Sequence, residues 1–228
     1  MKIVKMLLPA ILLAGFLVGA AAAQDMDDVL AALLVNPQLS YTQTTEDLAA
    51  DNGAGILGAA GQAVAEGVMF SAGAGENPLL TFAQSISGAP GMQDNANRAF
   101  LMAFVPSAKD FGFMFFTEDN IGLTIGPNSE PMVFALADNY MQPLDTALRI
   151  EPGSAYNILL AATMDGRFRG ALWQDGAAAQ AAYFTLDLTA FENGNYHNQP
   201  WEVLVGFAGE ATLTVTEYAY YSFDGFAD

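Results

Sequence analysis

Short apolar runs follow one another along most of this chain, and clusters of Gly, Pro, Asn and Ser stand between them. This feature restricts the fold more than any other, because each run has the length of a strand and not of a helix. The predicted strands are Val64 to Phe70, Leu79 to Ser87, Arg98 to Val105, Phe111 to Thr117, Ile121 to Ile125 and Met132 to Ala137. Ala147 to Ile150, Tyr156 to Thr163, Phe168 to Trp173, Ala182 to Leu188, Trp201 to Phe207 and Thr212 to Phe223 complete the series. Gly75-Glu76-Asn77-Pro78, Gly88-Ala89-Pro90-Gly91 and Gly126-Pro127-Asn128-Ser129 are typical of the turns between them. With no long helical pattern in between, the expectation is an all-β sandwich or barrel.

The pattern inside the strands says how deep each one lies. Phe100 to Phe104 and Phe111 to Phe116 are apolar on both faces, so both should be covered on both sides. Thr212 to Phe223 alternates. Leu213, Val215, Ala219, Tyr221 and Phe223 fall on one face, and Thr212, Thr214, Thr216, Tyr218, Tyr220 and Ser222 on the other. That strand should turn one face to the core and one to water. Glu217 falls on its apolar face, which predicts a bulge there.

The clearest local unit is a hairpin. Tyr156 to Thr163 runs into Met164-Asp165-Gly166-Arg167, and Phe168 to Trp173 returns. Asp-Gly supplies the positive φ that a tight hairpin turn needs. This stretch, from Glu151-Pro-Gly-Ser-Ala-Tyr156 through Asp165-Gly-Arg-Phe168 to Leu172-Trp173, resembles a segment of the laminin-G and concanavalin A-like jelly rolls. The alternating last strand is also similar to theirs, and the resemblance covers Ala63 to Phe223. It implies a two-sheet antiparallel jelly-roll sandwich of about a dozen strands, and often glycan or protein binding outside cells. Some members hydrolyse polysaccharides through the pattern Glu-x-Asp-x-x-Glu on one strand. This chain lacks that pattern.

Three segments organise the chain. Residues 1–23 have a basic start (Lys2, Lys5), an apolar middle and an Ala20–Ala23 end, the three parts of a secretory signal, with cleavage expected after Ala23. No later segment reads as a membrane span. Residues 24–62 carry a short N-terminal helix and an Ala/Gly-rich stretch. Asp25, Asp27 and Asp28 suit the helix dipole in a first turn, Val29, Leu30, Leu33 and Leu34 form a stripe, and Asn36-Pro37 ends it. Gly53-Ala-Gly-Ile-Leu-Gly58 matches a dinucleotide-binding pattern, but no strand precedes it, so the match is accidental. Residues 63–228 form the sandwich. The expected location is therefore secreted or periplasmic.

Charge and chemistry narrow the function. There are 7 Lys+Arg against 25 Asp+Glu, a net charge of −18, and −20 once Lys2 and Lys5 leave with the signal. Such a chain repels nucleic acid and anionic membrane and attracts cations, calcium included. With no cysteine and one histidine, His197, thiol chemistry and a multi-histidine metal site are excluded. No nucleophile elbow accompanies His197. Glu118, Asp119 and Glu217 are the acids to inspect for paired-carboxylate chemistry. Asp119 with Asn120, and Asp138 with Asn139, offer oxygen ligands for calcium, although Asp and Asn in such loops more commonly serve plain turns. Sugar binding needs an aromatic face beside amides. Tyr140, and Tyr196 flanked by Asn195, His197 and Asn198, fit that description, while Trp173 and Trp201 read as core. The leading expectation is a secreted, non-catalytic, carbohydrate-binding module whose partner is a glycan or a matrix or surface component. The alternatives are an adhesive or structural surface protein and a polysaccharide-degrading enzyme.

Overall fold

A computed structural model describes residues 25–51, 56–57, 61–73, 79–82, 97–106, 112–117, 121–125, 129–163, 165–191, 203–208 and 211–228. The chain opens with helix α1 (25–33). It continues through β1 (Leu34–Val35), β2 (Gln38–Gln43), α2 (Thr45–Asp51), β3 (Ile56–Leu57), β4 (Gly61–Val64), β5 (Gly67–Ala72) and β6 (Leu79–Phe82). Then come β7 (Asn97–Pro106), β8 (Gly112–Thr117), β9 (Ile121–Ile125), β10 (Pro131–Ala135), β11 (Tyr140–Pro143) and β12 (Tyr156–Ala162). Last are β13 (Arg167–Gln174), β14 (Ala182–Asp187), β15 (Val203–Ala208), β16 (Ala211–Phe223) and β17 (Gly225–Phe226).

Fifteen of these strands build two antiparallel sheets, and β1 pairs with β17 in a separate two-stranded ribbon. One has eight strands in the order β14-β13-β12-β7-β16-β5-β4, with β2 also paired to β16. The other has seven, in the order β11-β10-β9-β8-β15-β6-β3. The hairpin of β12 and β13 turns at Asp165-Gly166 as predicted, with Gly166 at φ +84°. The N-terminal segment contributes to the sandwich itself, since β2 and β3 are members of the sheets.

The long strand β16 shapes everything around it. β7 runs along one of its edges, while β5 and β2 share the other. Between Val215 and Glu217 the pairing with β7 shifts, because Phe104 opposes Val215 and the next residue, Ala103, opposes Glu217. Thr216 is therefore the extra residue of a bulge, and its carbonyl accepts a hydrogen bond from Thr45 Oγ1 at 2.8 Å. An extra residue inverts the alternation. Leu213 and Val215 face the space between the sheets, and so do Tyr218 and Tyr220 beyond the bulge, all fully buried. Tyr218 and Tyr220 pack there with Phe82 and Phe100, at centroid separations of 4.9 to 6.4 Å. The Tyr218 hydroxyl donates to the buried Gln43 at 2.7 Å.

Beyond the bulge the opposite face of β16 does not turn to water, contrary to the expectation for the last strand. Ala219 and Phe223 join Ala99, Leu101, Leu159, Ala161, Ala171 and Trp173 in a second core on the outer side. Helix α1 covers it, burying the stripe of Val29, Leu30 and Leu33, with Leu34 beside it. Alanine recurs on the sheet side, which lets the helix approach closely. The tail closes over the same face. Ala227 N–H donates to Leu33 O, Arg169 donates to Ala227 O at 2.8 Å, and the Arg169 guanidinium lies 4.6 Å over the Phe226 ring.

Two predicted strands differ. Val64 to Phe70 is a hairpin of β4 and β5 rather than one strand, because Ala65-Glu66 turns and Gly67 adopts φ +137°. Ala147 to Ile150 is irregular. Its apolar pattern anchors a loop instead: Ile150 is buried and donates to Ser129 O, and the Tyr156 hydroxyl donates to Arg149 O at 3.2 Å.

Gly67 ties the hairpin to the bulge. A Cβ on Gly67 would stand 2.1 Å from the Val215 carbonyl oxygen, a backbone atom that cannot turn aside. Gly67→Ala should therefore destabilise the protein by about 1–3 kcal/mol or more in denaturant unfolding. An unchanged midpoint would contradict this placement of β5 against β16.

Candidate functional site

The bulge opens a cavity of about 160 Å³ on the outer face of the eight-stranded sheet, beside the start of α1. Its floor is the lateral row Glu217, Ala103 and Asn157, which stand opposite one another on β16, β7 and β12. Ala103 leaves a hollow between the two longer polar side chains. Asp175, just past β13, closes one end, and Met26 of α1 forms a wall. Phe104 and Tyr156 also border it, but both rings belong to the core between the sheets, so they offer backbone rather than ring faces.

The polar groups are poorly matched by the protein itself. Asn157 is only 3% exposed, and its one side-chain hydrogen bond among the described residues, to Asp175, is 3.5 Å long. Glu217 is half-buried, with no hydrogen bond or ion pair among the described residues. Burial pushes its carboxyl above the ordinary carboxylate range. Farther along the same face, Tyr221 is pushed up to about 12, by burial first and then by the charges of Glu217 and Asp27. Trp173, lateral neighbour of Asn157, is fully buried in the outer core as predicted, and its indole N–H has no acceptor among the described residues.

The residues singled out from sequence fall elsewhere. Tyr140 starts β11 and is partly buried. Its hydroxyl is bonded to Gln142, and its ring lies 5.4 Å from that of Phe191. Asp138 ends a 3₁₀ turn (Leu136–Asp138), and Asn139 follows at φ +52°, donating its backbone N–H to Leu136 O. That is the turn-forming use of an Asp-Asn pair. Asp119, Asn120, Asn195, Tyr196, His197 and Asn198 lie outside the described residues, as do Glu118 and Trp201. Glu217, the one inspected acid among the described residues, lines the cavity. Asn157 and Asp175 were not legible, because nothing in a linear pattern shows that a bulge on β16 will face them.

No protein-family model matches the chain, and no curated protein sequence matches it. Solved structures do. Crh5 transglycosylase in complex with NAG superposes with a TM-score of 0.55 at 11% identity, over 84% of this chain and 89% of that one. Apo Crh5 transglycosylase gives 0.55 at 13% identity, over 85% and 90%. Lectin I from Ulex europaeus, in complex with the methyl glycoside of α-L-fucose, gives 0.47 at 11%, over 76% and 94%. The shared feature is the fold. This chain is a two-sheet antiparallel jelly-roll sandwich.

An acid whose folded-state proton affinity is raised favours the folded state when protonated, so that stability is lost as pH rises above the ordinary carboxyl range. Glu217→Gln mimics the protonated form. The variant should melt higher than the parent near neutral pH, and the two should converge below about pH 4, where both side chains are neutral. Thermal melts across that range check this, and a variant that melts lower near neutral pH would contradict it.

Proposed function

We propose that this chain is an exported, non-catalytic carbohydrate-binding module. The fold shared with a transglycosylase whose structure holds NAG, over more than four-fifths of both chains, supports this reading. The lack of the Glu-x-Asp-x-x-Glu pattern favours binding over hydrolysis. Recognition falls to Tyr140 and the loop bearing Asn195, Tyr196, His197 and Asn198. The observation that supports this assignment is the Tyr140–Phe191 ring contact, since Phe191 precedes that loop in the sequence. An aromatic face lined with amides satisfies both the C–H surface and the hydroxyls of a sugar. Calcium held by Asp119, Asn120, Asp138 and Asn139 belongs to the proposal as the ion that would fix neighbouring loops.

A glycan array probed with the chain from Gln24 tests it. Specific binding is expected, weakened about tenfold or more in Tyr196→Ala at unchanged melting temperature. Chelator should weaken the parent protein's binding in the same assay. A clean negative on a broad array would overturn the carbohydrate reading, and binding indifferent to chelator would remove calcium from it.

A further inference from the structure

The cavity at the bulge carries chemistry that glycan recognition by the loop does not use. Glu217 and Asp175 present carboxylates from its two ends, and the buried Asn157 lines the floor between them with an amide oxygen that no described residue satisfies. A half-buried carboxylate with no hydrogen bond and no ion pair is costly to the fold. The raised proton affinity of Glu217 expresses the same cost. What the described lining of this site lacks is positive charge.

The walls narrow the ligand further. Ala103, Ala155 and Met26 are apolar, and with the rings of Phe104 and Tyr156 turned into the other core, no aromatic platform lies open to a sugar ring. The Asp175 carboxyl reaches back to Asn157 on β12, which lies two strands from Glu217, roughly 10 Å at about 4.8 Å per strand. That spacing suits a ligand with two charged ends better than a single ion. The volume of about 160 Å³ is far above what one water needs and about half the low end for drug-sized ligands. We propose that this cavity binds a short alkyl diammonium, with one ammonium on Glu217, the other on Asp175, and the methylene chain lying over Ala103 against Met26. Asn157 Oδ1 accepts a further hydrogen bond from the ligand. The chain's net charge of −18 draws such a cation toward the surface.

Calorimetric titration of the purified protein at fixed ionic strength tests this, with putrescine and cadaverine as probes and butylamine and calcium chloride as comparisons. Saturable binding of one diamine per chain is expected, with butylamine weaker. Glu217→Gln and Asp175→Asn should each weaken it about tenfold or more. Ala103→Leu, which fills the hollow and removes no charge, should abolish it. Melting temperatures confirm that each variant is folded. No saturable binding, equal binding by Glu217→Gln, or calcium binding tighter than either diamine would overturn the proposal. Equal binding would mean diffuse attraction to an acidic surface.

Discussion

One extra residue in β16, Thr216, decides which way the second half of that strand faces. Without it, regular alternation would send Tyr218 and Tyr220 outward and Ala219, Tyr221 and Phe223 inward, two rings and two residues of very different volume from those the inner core accommodates. With it, two tyrosines complete the aromatic cluster around Phe82 and Phe100. The small Ala219 turns to the face where α1 must approach closely. The two cores on either side of the eight-stranded sheet exist together because β16 changes parity at one point.

The bulge also explains where chemistry can collect. Elsewhere on this face α1 and the C-terminal tail seal the sheet with Val29, Leu30, Leu33 and Phe226. Beside the bulge the ladder is disturbed, Ala103 leaves space, and a glutamate stands over the sheet where the outer core would otherwise continue. A fold optimised for stability alone would place an apolar residue there. Retention of a carboxylate with no side-chain partner among the described residues is the kind of local cost that accompanies a site.

The fold class was legible because period-two runs and turn clusters are local signals. The short helix was legible from the stripe of Val29, Leu30 and Leu33, and the hairpin from Asp165-Gly166. The disturbance at Glu217 could be read from a single acid out of phase with its neighbours. What a linear pattern does not carry is which face a shifted strand finally buries, because that depends on what packs against each side. The polar-looking face of β16, with Tyr218 and Tyr220, lies inside, and beyond the bulge Ala219 and Phe223 on the other face are covered as well, since α1 and the tail pack there. The partners of Glu217 were hidden for the same reason: Ala103, Asn157 and Asp175 come from three other stretches of chain.

Unfolding of a variant that lacks Thr216 tests this account most directly. If Thr216 is the extra residue, its removal leaves Val215, Glu217 and Tyr218 in plain alternation with every later side chain facing as before. The protein should then still unfold cooperatively in denaturant, destabilised by only about 1–3 kcal/mol for the lost local contacts. If β16 were regular at this point, the same deletion would turn Tyr218 through Phe223 to the wrong faces. Loss of the folded state would contradict the account.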